Sequence, residues 1–225
     1  MLSTNSPMNN TRSATQPCRR QHNSSVKRPV RKVPPPLILA SASPYRLGQL
    51  RQLGLAAEAV PSDVDEAEWK AKRWPARTLA LELAIAKAAA VAKRFPDAVV
   101  IGGDQIASLE GEPFDKPITL DTARTQLRRL SGKTHELLTA AAFIVRGEVQ
   151  TFIEPVKMTM RSLSDQEIED YLAADQPLDC AGCYRWELKG PTLFERVETN
   201  DPTAILGLPL LWIAKTLRSL GFKLP

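Results

Sequence analysis

The chain has 225 residues, of which 43% are hydrophobic and 24% are charged, so it is long enough for one sizeable domain and too apolar to be fibrous or wholly disordered. Its longest apolar run, residues 204–214, falls short of the roughly 18 to 20 residues that span a bilayer. The formal charge of +5 invites a nucleic-acid function, but residues 1–36 hold seven basic and no acidic residues, which leaves the remainder at −2. We therefore expect a soluble, cytoplasmic protein in which only that segment has the charge to contact a nucleic acid.

Residues 1–36 are predicted to be a disordered basic tail, and residues 37–225 to be the folded domain. The tail is rich in Ser, Asn, Thr, Arg and Pro and cannot bury enough apolar surface to offset its ordering entropy. An organelle transit peptide and a translation start upstream of the true one, with Met8 as a candidate, are the alternatives. Three cysteines are too few for a disulfide framework, which favours a reducing compartment.

The first half of the domain alternates strands and helices. Residues 37–40 form a short apolar run that predicts a buried strand, and Ser43 can cap a helix that begins at Pro44 and ends at Gly54. A second helix is predicted over 78–95, and a buried strand over 98–101 opens on Gly102-Gly103-Asp104.

The second half repeats this alternation. The pattern predicts a helix from Thr119 to the Ser131-Gly132 pair, long strands over 135–145 and 149–160, a capping-box helix from Ser164 to about Ala173, and a last helix over 208–220. Helices that alternate with buried strands predict an α/β fold with a mixed β-sheet flanked by helices.

Three segments carry residue types suited to phosphate chemistry. The first is the predicted strand-to-helix junction, where Ser41, Ser43 and Arg46 would add donors to a helix N-terminus and so form a phosphate cradle. A purely structural Ser-Pro cap is the alternative interpretation.

The second segment is Gly102 to Gln105, where Asp104 is expected at the end of a strand, the edge at which α/β sheets collect ligands. A tight turn capped by the aspartate would also explain the sequence. Further along, Lys116 precedes a proline that favours an extended backbone, and it could reach a polyphosphate or be a solvated loop residue.

The third segment is the acidic run of residues 63–66, which is followed by Lys87 on the second helix. Carboxylates and a lysine are what a metal–phosphate site needs, because Mg²⁺ takes carboxylate oxygens and shares phosphate oxygens with a substrate. A solvated acidic loop is the commoner explanation. Cys180 and Cys183 have CxxC spacing but lack further zinc ligands, and His135 has no evident catalytic partner, so we interpret all three as structural.

Eight motifs together resemble one family, the Maf-like nucleotide pyrophosphatases, in order and spacing over residues 37–221. They are LILASASPYR, DVDE, LAIAKA, GGDQ, DKP, LRRLSGKTHE, LDCAG and GLPL. The resemblance implies a two-lobed α/β fold with an active-site cleft, hydrolysis of nucleoside triphosphates to the monophosphate and pyrophosphate, a divalent cation (Mg²⁺ or Mn²⁺), and commonly a homodimer.

Carried over position by position, the resemblance implies Asp104 as the general base and Glu66 with Asp104 as the metal-binding residues. It also implies a phosphate-binding set, namely Ser41, Ser43, Arg46, Lys87 and Lys116. A carboxylate that orients and deprotonates water, opposite cations that neutralise phosphoryl charge, is the arrangement that this reaction requires.

The resemblance extends to one branch of the family at three positions. Tyr45, Gln105 and Glu187 have the residue types of the branch that acts on 7-methyl-GTP. N7-methylation makes guanine cationic, and an aromatic face and a carboxylate both suit a cationic base. Hydrolysis of dTTP, UTP or damaged nucleotides is the runner-up, and a non-catalytic regulatory protein for a cell-division or nucleic-acid partner is the alternative from a different class.

Overall fold

The computed structural model describes residues 34–224, so the predicted tail lies outside the described residues except for its last three prolines. The strands are β1 (Leu37–Ala40), β2 (Ala57–Ala59), β3 (Val99–Leu109), β4 (Glu112–Phe114), β5 (Thr134–Val145), β6 (Glu148–Met160) and β7 (Phe194–Glu198). The helices are α1 (Pro44–Gln52), α2 (Glu66–Ala71), α3 (Ala76–Ala92), α4 (Leu120–Leu130), α5 (Asp165–Asp175) and α6 (Leu210–Ser219).

The seven strands form one mixed sheet with the order β2-β1-β3-β5-β6-β7, and β4 pairs with β3 beside this path. β1 is parallel to β2 and β3, whereas every other pairing is antiparallel. β3 and β5 are the two central strands, β5 and β6 form a long hairpin, and the mixed α/β fold expected from the sequence is confirmed.

Helices cover both faces of the sheet. Side chains alternate between the two faces along β3, so the strand packs against helices on each side. Val100 and Ile106 face α3 with the apolar side chains of that helix. The opposite face has two clusters: Ile101 packs with α6 at the beginning of the strand, and Leu109 packs with α4 and α5 at its end. The strand that carries Asp104 is therefore held from both sides.

The locally encoded elements form as predicted. Ser43 accepts a hydrogen bond from the backbone N–H of Arg46 at the start of α1, and Ser164 and Glu167 form the capping box of α5. The last helix begins at Leu210, two residues later than expected, because Pro209 is its N-cap. Within residues 34–224, no helix is both long enough and apolar enough to cross a membrane.

One expectation about the site is wrong. The strand predicted to end at Ile101 continues to Leu109, so Asp104 lies inside β3 and neither ends a strand nor caps a turn. The reason is long-range pairing, since β5 pairs with β3 from Val99 to Ser108 and keeps Gly102 and Gly103 extended.

Candidate active site

A gap in strand pairing defines the site. On one edge of β3, β1 pairs only as far as Gly102, and β4 begins to pair only at Ala107. Residues 103–106 therefore have no strand on that edge, and a cavity of about 810 Å³ opens beside them. The carboxyl end of β1 borders this gap, so the general rule that ligands collect at such strand ends applies to β1.

The first wall of the cavity is the loop from β1 into α1. Ser41 Oγ accepts a hydrogen bond from the Ser43 backbone N–H at 3.1 Å and another from Arg46 Nη1 at 3.4 Å. Because both bonds use the oxygen as acceptor, the Ser41 hydroxyl hydrogen remains available to a ligand.

Arg46 is fixed from the far side of this wall. Its Nε donates to the Gly207 carbonyl at 3.0 Å, and Gly207 has a φ of +112°, a conformation open mainly to glycine. A Cβ at Gly207 would also approach Arg46 Nε to 3.2 Å. Burial lowers the pKa of Arg46, and the nearby carboxylates of Asp104 and Glu66 oppose that effect.

The second wall joins α3 to β3 at very close range. A Cβ built on Gly102 would lie 2.1 Å from the Ala84 carbonyl oxygen and 2.8 Å from the Ala88 nitrogen, so only glycine lets this helix rest on the strand. Lys87 lies between those two alanines in sequence, and Asp104 shares the face of Gly102. Lys87 Nζ therefore donates to Asp104 Oδ1 at 2.7 Å, with 9% of each side chain exposed.

Glu66 completes a triad around the same ammonium group. Asp65 caps α2 and places Glu66 in its first turn, where Glu66 Oε1 lies 2.6 Å from Lys87 Nζ. Burial alone would raise the pKa of Glu66, but the charge and hydrogen bond of Lys87, together with Lys116 and Lys70, lower it. Glu66 is thus held as a carboxylate.

The alternative interpretation of residues 63–66 as a solvated acidic loop therefore does not hold for the last of them, Glu66. This residue begins a short helix that the sequence pattern did not reveal, since six residues are too few for a helical period.

Lys116 lines the mouth of the cavity next to an ion pair that the sequence did not suggest. Lys70 Nζ of α2 lies 2.8 Å from Asp115 Oδ1, and the Asp115 carbonyl accepts a hydrogen bond from Gln126 of α4 at 2.9 Å. These two contacts anchor the loop that presents Lys116.

The far end of the cavity holds Tyr45, which is 39% exposed. Burial, followed by the negative charge of Glu187, raises the pKa of the Tyr45 hydroxyl, so the two side chains are near each other. Glu187 itself is exposed and is absent from the cavity lining in the part of the chain that the structure covers.

Gln105 lines the cavity, but its amide is already engaged. Gln105 Nε2 donates to Thr139 Oγ1 and to the Ala204 carbonyl, each at 2.9 Å, and to the Ile205 carbonyl at 3.2 Å. These bonds tie β3 to the 3₁₀ turn that precedes Gly207. Gln105 thus holds in place the turn before Gly207, whose carbonyl in turn binds Arg46.

The donor set fits a divalent cation. Within residues 34–224 no group of three or more His, Cys, Asp or Glu side chains could hold a metal ion by itself. Mg²⁺ in phosphate sites, however, takes one or two carboxylates and completes its coordination with water and phosphate oxygens. Glu66 and Asp104, which meet at Lys87, are two carboxylates that would serve as such ligands.

The remaining candidates lie outside the cavity lining. His135 is buried, with Nε2 3.0 Å from the Tyr184 hydroxyl, and burial lowers its pKa to about 4. Burial raises the pKa of Cys180 to about 11 and that of Cys183 to about 12, which is the reverse of a reactive thiol. Both thiols are free, and residues Ala181–Cys183 of the CxxC segment form a 3₁₀ turn.

Sequence reasoning missed Lys70, Arg73 and Trp74, which also line the cavity. They follow the acidic run directly, so the dense mixture of cationic and aromatic residues over 69–74 was the available signal.

The fold and the site together define an α/β protein with an ion-paired cleft at the carboxyl end of a parallel strand. The chain belongs to the Maf-like protein family, whose model matches residues 36–220. It is 45% identical over 191 residues to the 7-methyl-GTP pyrophosphatase of Polaromonas sp., which covers 84% of this chain and 86% of the relative. It is 45% identical over 192 residues to the 7-methyl-GTP pyrophosphatase of Xanthomonas campestris pv. campestris, covering 85% of this chain and 99% of that relative. The relative of that name from Alkalilimnicola ehrlichii is 44% identical, covering 84% and 96% respectively.

Proposed function

We propose that this protein is a nucleoside triphosphate pyrophosphatase that hydrolyses 7-methyl-GTP to 7-methyl-GMP and pyrophosphate. The observation that carries the proposal is the Lys87 ammonium held between the carboxylates of Asp104 and Glu66 in a cavity bordered by Arg46 and Lys116. The names of the relatives, at 44–45% identity over most of the chain, support the choice of substrate.

The phosphates bind at the Ser41–Arg46 wall. Arg46 has five N–H donors, of which the contacts to Gly207 and Ser41 use two, so the rest can bind phosphate oxygens. The Ser41 hydroxyl donates its free hydrogen to the same group, and Lys116 contributes charge from the opposite loop. Ser43 contributes indirectly, because its side chain caps the helix and fixes the position of Arg46.

The hydrolytic step is attack of water on the α-phosphorus. Asp104 accepts the water proton while the new P–O bond forms, and the bond from the α-phosphorus to the bridging oxygen breaks and releases pyrophosphate. Lys87 orients the Asp104 carboxylate through the 2.7 Å contact and offsets negative charge on the phosphoryl oxygens. Placing a carboxylate in hydrogen-bond reach of the attacking water is what a general base requires.

Glu66 and Asp104 would hold a divalent cation, Mg²⁺ or Mn²⁺, because both ions accept oxygen ligands. When bound, such an ion supplies Lewis-acid polarisation of a phosphoryl oxygen.

The base lies at the Tyr45 end. The ring of Tyr45 can stack on 7-methylguanine, whose positive charge strengthens the contact with an aromatic face. Glu187, which raises the pKa of Tyr45 through its charge, places a negative potential at the same end. Uracil has no positive charge and gains nothing from either group.

The decisive experiment supplies purified protein with Mg²⁺ or Mn²⁺ and with 7-methyl-GTP, GTP, UTP, dTTP or ITP in H₂¹⁸O. We expect 7-methyl-GTP to have the highest kcat/KM and the ¹⁸O label to appear in the monophosphate. Label in released orthophosphate would exclude attack on the α-phosphorus.

Variants locate the activity within the cleft. Asp104→Asn preserves shape and removes the base, so kcat should fall at least about a hundredfold. Asp97→Asn, which changes an exposed aspartate outside the cavity lining, is the matched control. Tyr45→Arg and Glu187→Gln should reduce kcat/KM for 7-methyl-GTP more than for UTP, and equal losses would remove the basis for base selection.

A further inference from the structure

The last turn of α2 and the segment that joins it to α3 carry three cations with different surroundings. Lys70 is paired with Asp115 at 2.8 Å. Lys72 Nζ lies over two rings, 4.0 Å from the centroid of Trp69 and 4.6 Å from that of Trp74. Arg73 lines the cavity, and within residues 34–224 it has no carboxylate at ion-pair distance.

The charges along the cavity single out the same residue. Of the six carboxylates in the lining, five already face a basic partner: Glu66, Asp104, Glu112, Asp115 and Asp179. Asp63 is the sixth. Among the described lining residues, Arg46, Lys116 and Arg73 are the cations that have no carboxylate at ion-pair distance. Such uncompensated charge in a cleft favours an anionic ligand.

Arg73 lies at the Lys116 end of the cavity. Its backbone N–H donates to the Lys70 carbonyl at 3.0 Å, and the Lys70 side chain forms an ion pair with Asp115, which precedes Lys116. Lys70 and Lys116 both lower the pKa of Glu66 through their charges, so the two lysines lie close enough to act on that carboxylate. Tyr45 has Glu187, Arg185 and Asp179 as its charged neighbours, a different set from the one around Glu66.

The backbone of Arg73 is also unusual. Its φ is +51°, in the left-handed region that non-glycine residues seldom occupy. Such a conformation costs of the order of 1 kcal/mol and persists where surroundings or function require it. Here it ends α2 and turns the arginine toward the cleft.

We propose that Arg73 is a specificity-determining residue that binds the terminal phosphate of the triphosphate, and hence the distal half of the pyrophosphate leaving group. The inference rests on the proposed function of the same cleft. A guanidinium binds a phosphate through two parallel N–H···O bonds, which a lysine at this position could not reproduce.

The test compares Arg73→Gln with Lys72→Gln. Both changes remove one exposed cation from the same segment, but Lys72 lies outside the cavity lining. Calorimetry measures Kd for pyrophosphate and for 7-methyl-GMP with Mg²⁺ present, and kinetics measure KM for 7-methyl-GTP. Arg73→Asn is the second variant, because asparagine tolerates the left-handed backbone if glutamine does not.

We expect both Arg73 variants to weaken pyrophosphate binding and to raise KM about tenfold, with the Kd of 7-methyl-GMP changed less than twofold. Lys72→Gln should match the original protein. The proposal fails if the Arg73 variants keep their pyrophosphate affinity, if they weaken both ligands equally, or if Lys72→Gln has the same effect. Absence of turnover in the unmutated protein would instead refute the proposed function, and the pyrophosphate titrations would still decide the role of Arg73.

Discussion

Gly102 provides the sharpest link between packing and catalysis. A methyl group at this position would sit 2.1 Å from the Ala84 carbonyl oxygen, 2.8 Å from the Ala88 nitrogen and 2.9 Å from the Ala88 Cβ. Ordinary carbon–oxygen contacts are about 3.3 Å or longer, so Gly102→Ala must push α3 away from β3 by roughly 1 Å. The obstructing atoms belong to the helix backbone and cannot rotate aside.

The cost follows from this displacement. Overpacking costs about 1 to 3 kcal/mol, and the upper end applies where backbone must move. We therefore expect the free energy of unfolding to fall by about 2 to 3 kcal/mol, and Tm to fall by about 4 to 12 °C for a domain of this size.

Activity should suffer more than stability. α3 carries Lys87, whose Nζ contacts Asp104 at 2.7 Å and Glu66 at 2.6 Å, so a shift of this size breaks both contacts. A misplacement of about 1 Å in a catalytic constellation can cost about a hundredfold in rate. Gly102→Ala should thus lower kcat for 7-methyl-GTP by that order in protein that is still folded at the assay temperature.

Urea unfolding and steady-state kinetics check this prediction against two other glycines. At Gly103 an added methyl meets Leu208 Cδ2 at 3.0 Å, a flexible side chain that can move, and at Gly48 it meets no atom within 4 Å. The loss of stability should decrease from Gly102→Ala to Gly103→Ala, and Gly48→Ala in α1 should be neutral or stabilising. A Gly102→Ala protein with unchanged stability and kcat would refute the close packing and its role in positioning Lys87.

Three other predictions concern stability and chain length. His135 has a pKa of about 4 against an ordinary 6.5, so the unfolded chain takes up its proton first as the pH falls, and unfolding free energy should decrease by about 3 kcal/mol between pH 6.5 and 4. A pH titration of urea unfolding in which His135→Phe retains that same slope would contradict this assignment. Gln105→Ala removes the donor to the Ile205 carbonyl, whereas the Ala204 carbonyl keeps its bonds from Thr139 Oγ1 and the Gly207 backbone N–H. The change should cost about 1 to 3 kcal/mol of unfolding free energy, measured in urea, and an unchanged midpoint would mean that the Gln105 bonds are dispensable. Deleting residues 1–33, which precede the family match, should leave Tm and kcat unchanged; a lower kcat would assign that segment a part in turnover.

The elements predicted well are those whose determinants lie within a few residues of one another. Ser43 and Pro44 specify the start of α1, and Ser164 with Glu167 specifies that of α5, because caps form between neighbours in sequence. The long strand β6 was also predictable locally, since the alternation of Val156, Met158 and Met160 with polar residues is visible in sequence. The short strands β2, β4 and β7 gave no such signal, because three to five residues are too few for a period.

The site was predicted by residue type, and its geometry was not. Asp104 and Lys87 were each identified as candidates, but the sequence placed Asp104 at the end of a strand. The structure places it within β3, because β5 pairs along nearly the whole strand while the neighbouring edge stays open. A gap between two pairing partners depends on where three separate segments end, which periodicity along one segment does not contain.

By itself the sequence determined the alternation of helices and strands, the capped helix behind Ser41 and Arg46, and the residue types that phosphate chemistry needs. Tertiary structure alone decided three things. The Lys87 ammonium group pairs with both Asp104 and Glu66, Lys70 pairs with Asp115, and Arg73 lines the cleft without an ion-pair partner among the described residues. The physical reason is how far apart in the sequence the interacting residues are. Helix caps and apolar periods involve residues that are near neighbours in sequence, whereas charge pairing across a cleft depends on side chains brought together only when α2 and α3 pack beside the sheet.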